Sequence, residues 1–257
     1  MSLSGLIALT FVEAARSGCS TLLAFPAIVG VIHHLQSAGF IFPLFWLALI
    51  LFGHTRLDRV AATTSRIDQA RAEAALFAVL AGYALPTALM LAFRDPFTTA
   101  AWQFAPAWMG MAQAAHLFIR PSSRYNTSGY WTVQATFILT FIASAISHIA
   151  AIRAVNDLTS LRDLLVPLPP IVPDPGATTN LKLAVHVTLQ WDAVFAFGSS
   201  LLGTIWFARN AKQVLLIALW NVIATVIIGP GAALSGVLLW REWGLNGARE
   251  GVSKKKR

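Results

Sequence analysis

The sequence predicts an all-α fold, a polytopic bundle of about seven transmembrane helices. Of its 257 residues, 56% are hydrophobic and 12% are charged, and the mean hydropathy is +0.65. Soluble domains carry about 25% charged residues, so the 19 basic and 11 acidic side chains here are too few for a water-exposed surface. We therefore expect a single integral membrane domain over residues 1–257, with lipid as its main solvent.

Long apolar runs mark the expected spans, because a helix needs roughly 20 residues to cross the hydrocarbon core. The second run is short, which indicates a tilted or half-inserted helix. In order, the predicted spans are residues 3–31, 40–54, 74–93, 101–119, 130–152, 181–207 and 214–240. The connections between them are short and polar, so binding or chemistry is expected among the helices or at their ends.

Two connections have a distinctive composition. Residues 166–176 contain five prolines, which predicts a stiff surface loop or lid. Residues 120–129 contain the glycosylation sequon Asn126-Thr127-Ser128, but the next apolar run begins so soon afterwards that we expect no glycan there.

The basic residues favour a membrane partner over a nucleic acid. The net charge is +8, yet the basic side chains are scattered over loop ends rather than gathered on one face. They divide almost evenly between the two sides of the membrane, so the orientation stays open. The basic tail, residues 249–257, ends in Lys254-Lys255-Lys256-Arg257, which has the lysine spacing of an endoplasmic-reticulum retrieval signal and equally suits a flank that touches anionic lipid.

Only two carboxylates lie well inside apolar runs, Asp192 and Glu13. An ionisable group at bilayer depth costs at least about 2.5 to 3.5 kcal/mol, so it normally faces the bundle interior and marks a site or a partner. Desolvation also raises the pKa of a carboxyl, which makes such a group a candidate proton donor. Asp192 is flanked by aromatic rings that can stabilise a cation. The alternative is a purely structural pairing of Asp192 with a neighbouring helix.

Glu13 is followed at i+3 by Arg16, which can neutralise it within one helix. A catalytic role and a salt bridge are therefore both open for Glu13. If the pair forms, Glu13 is held ionised and serves better to orient or charge a pocket than to donate a proton.

The remaining polar and aromatic side chains have a structural default. No two intramembrane histidines have metal-ligand spacing, so no metal site is predicted, and the single Cys19 excludes an internal disulfide. Trp102, Gln103 and Trp108 surround the helix-distorting Pro106 and indicate a possible aromatic pocket. The sequence has no P-loop, no GxSxG and no DDxxD-type magnesium cluster. The motifs that nucleotide hydrolysis, serine hydrolysis and diphosphate ionisation require are therefore missing.

The chain resembles the fungal membrane-bound terpene cyclases of meroterpenoid pathways, nearest to the ascochlorin and ascofuranone type. The resemblance rests on the Gln190-Trp191-Asp192 triplet in the penultimate predicted span, the Phe104-Ala105-Pro106 segment, the proline-rich loop before that span and the compact layout without a magnesium motif. The early Trp-Glu pair of the paspaline and pyripyropene types is missing here.

The resemblance implies metal-independent, acid-initiated cyclisation of a farnesylated meroterpenoid intermediate, begun by protonation of a terminal epoxide or an alkene, without a cofactor. Asp192 is then the general acid and Glu13 a secondary acid or relay group. The substrate-binding set is Trp191, Gln190, Phe195, Trp108, Trp102 and Gln103. The expected setting is the endoplasmic-reticulum membrane, beside a prenyltransferase and an epoxidase of the same pathway. The alternatives are a non-enzymatic transporter or assembly protein, and a sterol-isomerase-like membrane enzyme.

Overall fold

The structure is a computed structural model, and it describes residues 1–57, 65–155, 157, 162, 166–169 and 181–255. It confirms the all-α prediction, because within these residues the β pairing consists of one isolated bridge, between Asp68 and Ser128. The proline-rich loop beyond residue 169 and the end of the basic tail, residues 256–257, lie outside the described residues.

We number ten helices within the described part of the chain. Helix α4 is continuous but takes π-helical hydrogen bonding over Ala78–Ala84, and 3-10 turns lie at Thr21–Leu23 and Thr204–Phe207. The helices are α1 (Ser4–Ala14), α2 (Pro26–Leu35), α3 (Ala38–Leu51), α4 (Gln69–Phe93), α5 (Pro96–Gln103), α6 (Ala105–Ile119), α7 (Tyr130–Arg153), α8 (Leu181–Gly203), α9 (Ala211–Ile228) and α10 (Pro230–Lys255).

Among the described helices, α4, α7 and α9 are long and apolar enough to cross a membrane. Helices α1, α2 and α3 are apolar but shorter. The long apolar helices agree with a membrane protein, whereas the predicted number of spans is not confirmed.

The apolar run over residues 3–31 forms two helices instead of the expected one. Helix α1 ends at Ala14, and the chain then turns so that the amide of Ser17 donates to the carbonyl of Arg66 at 2.9 Å. Helix α2 begins at Pro26, where the fixed φ of proline suits a first turn and its missing N–H is not needed. Hydropathy alone does not detect the break, because the residues on both sides of it are apolar.

Two further predicted spans are divided. The run 101–119 changes helix at Phe104, with Pro106 in the first turn of α6. The run 214–240 changes helix at Gly229, whose φ of +91° is natural only for glycine, and Pro230 begins α10. Helix α10 then continues to Lys255, well beyond the predicted end at residue 240.

Helices α3 and α8 pack closely at two glycines. A Cβ on Gly39 would lie 2.9 Å from the backbone oxygen of Asp192, and a Cβ on Gly203 would lie 2.3 Å from the ring of Trp46. Since Gly39 precedes Trp46 and Asp192 precedes Gly203, the two helices run in the same direction. The missing side chains let the helix axes approach, as is common between membrane helices.

Helices α7 and α10 are joined by small and hydroxylated side chains. Ser235 faces Thr140, with 3.2 Å between the hydroxyl oxygens, and a Cβ on Gly231 would lie 2.8 Å from the hydroxyl of Ser144. At the other end of the contact, the side-chain amide of Gln134 donates to the carbonyl of Leu239 at 3.3 Å. Such hydrogen bonds hold apolar helices together where no hydrophobic driving force acts between them.

Helices α2 and α3 form a short hairpin that positions the candidate site. Its turn lies at Gln36 and Ser37, and the Ser37 hydroxyl caps α3 by accepting from the amide of Phe40 at 3.2 Å. The contact with Asp192, the central residue of the 23-residue helix α8, places this turn halfway along α8. The hairpin therefore reaches the middle of the bundle instead of crossing it.

Candidate active site

The side chain of Asp192, which belongs to α8, contacts the amino-terminal end of α3. Its Oδ1 accepts a hydrogen bond from the amide of Gly39 at 2.5 Å, and the side chain is half-buried. The first amides of a helix have no partner within the helix and carry partial positive charge, so this position suits a carboxylate oxygen. No hydrogen bond to Asp192 Oδ2 occurs among the described residues, which leaves this oxygen available for other chemistry.

Two histidines at the end of α2 pack on each other. The rings of His33 and His34 meet edge to face with centroids 4.8 Å apart. His33 also packs on Phe42, at 5.8 Å between centroids. Phe42 follows Gly39 by one helical turn, so the His33 ring and the Asp192 carboxylate share the first turns of α3.

Helix α5 adds a tryptophan and an amide to the same place. The ring of Trp102 lies 5.5 Å from that of His34, and Gln103 Oε1 lies 3.4 Å from His34 Nδ1. Trp102 is itself fixed by donating from Nε1 to the Thr87 hydroxyl at 3.0 Å. We call this set the hairpin-tip cluster; its members are His33, His34, Phe42, Trp102, Gln103 and Asp192.

The predicted triplet Gln190-Trp191-Asp192 is not one site, because helical geometry turns its members to different sides. Asp192 faces α3, whereas Gln190 Oε1 accepts from the amide of Leu168 at 3.2 Å and Trp191 Nε1 donates to the carbonyl of Leu168 at 2.8 Å. Trp191 stacks against Phe195 at 5.8 Å between centroids. Gln190 and Trp191 thus bind the described start of the proline-rich loop, and Phe195 packs on Trp191.

The remaining predicted substrate contact, Trp108, has no hydrogen bond with Asp192 among the described residues. Its Nε1 donates to the carbonyl of Ala101 at 2.9 Å, which ties α6 to α5, and 40% of its surface is exposed. Of the predicted binding residues, Trp102 and Gln103 are the ones that belong to the hairpin-tip cluster.

A second polar centre encloses Glu13. Its Oε1 accepts from Arg16 Nε at 2.8 Å and from Arg241 Nη1 at 2.5 Å, and its Oε2 lies 3.3 Å from His54 Nδ1. Arg16 also donates from Nη2 to Glu242, and the carboxyl side chain of Glu13 is 0% exposed. We call Glu13, Arg16, Arg241 and Glu242 the buried charge cluster. The salt bridge offered as one alternative for Glu13 is present.

Arg241 and Glu242 were not among the predicted site residues. The predicted span ends at residue 240, just before both charges, yet they are 1% and 3% exposed. Their signal is one of position: two opposite charges that directly follow an apolar run without a Gly or Pro between them can continue the same helix. The guanidinium of Arg241 also stacks on Phe207, 4.6 Å from the ring centroid.

An apolar cleft lies between the arms of the hairpin. Its volume is about 600 Å³, within the range of ligand pockets. We call it the hairpin cleft; it is lined by Thr21, Leu23, Phe25, Ile28, Val29, Ile32, Ile41, Leu44, Phe45 and Ala48. Two of these residues, Ile32 and Ile41, are next in sequence to His33 and Phe42. In the described residues, no group of three His, Cys, Asp or Glu side chains could hold a metal ion.

Comparison with known proteins identifies the family. The CtvD domain matches residues 1–243, almost the whole chain. The chain belongs to the CtvD-domain family. Terpene cyclase ascI of Acremonium egyptiacum is 25% identical to this CtvD-domain chain over 274 aligned positions, which cover 92% of the chain and 69% of that relative. No solved structure matches the chain. The resemblance to fungal meroterpenoid terpene cyclases is thereby confirmed.

Proposed function

We propose that this CtvD-domain protein is a membrane-bound terpene cyclase that closes rings on a farnesylated meroterpenoid intermediate after protonating a terminal epoxide or an alkene. The observation that carries the proposal is the homology to a terpene cyclase over 92% of the chain, within a family match over residues 1–243. Both findings favour a cyclase over a transporter, an assembly protein or a sterol-isomerase-like enzyme.

Asp192 is the proposed general acid. It is the central residue of α8, and its Oδ1 is held by the Gly39 amide. A protonated Asp192 keeps that bond through Oδ1 while Oδ2–H donates to an epoxide oxygen or an alkene carbon. Fixed geometry of this kind is what a general acid needs, because the donor must stay within hydrogen-bond reach of the reacting atom.

Aromatic rings beside Asp192 are the proposed stabilisers of the carbocation. Phe42 and Trp102 belong to the hairpin-tip cluster, and their faces carry the negative quadrupole that attracts a cation. Trp191 and Phe195 also belong to α8. Together with Gln190 they remain candidates for binding the remainder of the substrate. Trp108 is the outermost candidate.

The hairpin cleft is the proposed site of the prenyl chain. It is lined almost entirely by apolar side chains, and a farnesyl chain lying in it with its terminal end at the turn between α2 and α3 would bring that end to the acid. Burial of the chain in the cleft contributes roughly 25 cal/mol for each Å² of apolar surface removed from water, which holds the substrate while the cation forms.

Glu13 is proposed to act as a fixed negative charge. Two guanidinium groups and His54 surround it, and no surface of its side chain is open. Donation of a proton would require one of these ion pairs to break in a region closed to solvent. Its part in the chemistry is therefore indirect, through the arrangement of α1, α10 and the segment after α3.

The cellular setting follows from the substrate. A farnesylated, epoxidised intermediate is made by a prenyltransferase and an epoxidase, and so lipophilic a compound partitions into lipid. We propose that the protein works beside these enzymes in the endoplasmic-reticulum membrane, without a metal or organic cofactor.

Microsomes that contain the protein test this function directly. They are incubated with a farnesylated phenol bearing a terminal epoxide and, separately, with the unoxidised compound, and the products are analysed by mass spectrometry and NMR. We expect a cyclic isomer of unchanged mass from one of the two. Complete recovery of both compounds from microsomes with verified protein would overturn the proposal.

The same incubation in D₂O distinguishes the two initiation steps. Protonation of an alkene places one deuterium on carbon, where it is retained. Protonation of an epoxide places it on oxygen, where it exchanges back into water during extraction.

A further inference from the structure

An acid-initiated cyclisation needs a base as well as an acid. The acid gives up a proton at the start, and a final carbocation that becomes an alkene must lose a proton from carbon. The overall reaction is an isomerisation, so the acid has to be protonated again before the next turnover. The function proposed above leaves both the base and the route of this proton unassigned.

His34 has the geometry of such a base. Its Nδ1 lies 3.4 Å from Gln103 Oε1, and an amide oxygen can only accept, so this hydrogen bond selects the tautomer in which Nδ1 is the donor. The neutral ring then carries its lone pair on Nε2. Trp102, at 5.5 Å between centroids, provides an aromatic wall where a cation can rest before it loses its proton.

His33 connects this base to the acid. Its ring meets that of His34 at 4.8 Å between centroids. Its contact with Phe42 holds it at the first turns of α3, where Gly39 binds the carboxylate. His33 on α2 and Asp192 on α8 therefore both contact the first turns of α3.

We propose that His34 removes the terminating proton and that His33 returns this proton to Asp192. The inference rests on the proposed cyclase function. The Asp192 O–H bond breaks as the substrate O–H bond forms and the epoxide C–O bond opens. Carbon–carbon bonds then form at the cation, and a C–H bond breaks to give the alkene. That proton moves to His34 Nε2, then to His33 and finally to the Asp192 carboxylate, so no co-reactant is consumed.

The products of histidine variants test the assignment in microsomes. His34→Gln retains the acid and consumes substrate, but its cation ends by water capture or by loss of a different proton. We expect hydrated products and isomeric alkenes to replace most of the wild-type product. His33→Gln should give the normal product in a first turnover and then slow by about tenfold or more, since unassisted proton transfer is slower.

Two further variants serve as a control and as an independent test of His34. His148→Gln is the matched control, because this α7 histidine contacts the carbonyl of Val226 at 3.2 Å and lies outside the cluster. Gln103→Leu removes only the bond that orients His34, at an exposed position where folding is not at risk, and should shift the products partly in the same direction.

The outcomes separate the two proposals. If wild-type microsomes leave both substrates unchanged, the cyclase function fails and the relay falls with it. If the wild type cyclises and His34→Gln and Gln103→Leu both give the wild-type product pattern, the cyclase function stands and the relay is refuted. The relay is also refuted if His148→Gln alters the product pattern as much as His34→Gln does.

Discussion

Replacing Glu13 by glutamine should strongly destabilise the protein. The substitution preserves size and a hydrogen-bonding oxygen but removes the negative charge that pairs with Arg16 at 2.8 Å and with Arg241 at 2.5 Å. Two buried guanidinium groups would then share the single carboxylate of Glu242. Removal of one partner from a buried ion pair costs about 3–5 kcal/mol. For a chain of this size, each 1 kcal/mol lowers Tm by about 2–4 °C, so the expected loss is about 6–20 °C.

Thermal unfolding of the detergent-purified protein, followed through its nine tryptophans, measures this loss. Glu73→Gln is the control, because the pair of Glu73 with Arg120 has side-chain exposures of 23% and 38%. Such a pair contributes about 1 kcal/mol or less. Adding Arg241→Met to Glu13→Gln removes the surplus charge and should recover part of the stability, as a double-mutant cycle would show. Equal Tm values for Glu13→Gln and Glu73→Gln would refute the account of the buried charge cluster.

Two further changes test the packing and the cleft. Gly203→Ala places a methyl group against Trp46 and should cost about 1–3 kcal/mol in the same thermal assay, whereas Gly198→Ala on the same helix meets nothing within 4 Å and should not destabilise. Leu44→Trp fills the hairpin cleft and should raise KM for the prenylated substrate by about tenfold, a cost of about 1.4 kcal/mol. Leu47→Trp, at an exposed position on the same helix, should leave KM near the wild-type value; a pair of equal KM values would place the prenyl chain elsewhere.

Composition was enough to predict a helical membrane protein, since few arrangements other than lipid-covered helices suit so few charges. It was not enough to place the helix ends. The break near Arg16 is flanked by apolar runs on both sides, and the chain there forms a tertiary hydrogen bond between Ser17 and Arg66. Pro106 indicates a distortion near Phe104, but it does not show that one helix ends there and another begins. Gly229 and Pro230 do indicate a distortion in the sequence. Whether such a distortion becomes a kink or a hairpin depends on the helices that pack around it.

The candidate site was predicted unevenly for a similar reason. A carboxylate in an apolar run stands out without any structure, which singled out Asp192 and Glu13. Partners that are distant in sequence do not stand out, so the histidines of the hairpin-tip cluster kept a structural interpretation as helix ties. Neighbouring sequence positions were also given too much weight, because Gln190 and Asp192 are two residues apart and therefore point to different sides of α8.

The cyclisation rate of Asp192→Asn tests the central claim most directly. Asparagine retains an oxygen that can accept from the Gly39 amide, so the variant should keep the fold while losing the proton. Asp95→Asn is the control, because Asp95 caps α5 and asparagine is an equally good cap. At equal protein levels we predict that Asp192→Asn loses at least about 100-fold in rate, the lower range for general acid catalysis, and that Asp95→Asn stays within about threefold of wild type. A rate for Asp192→Asn within about threefold of wild type would contradict the assignment of Asp192 as the proton donor.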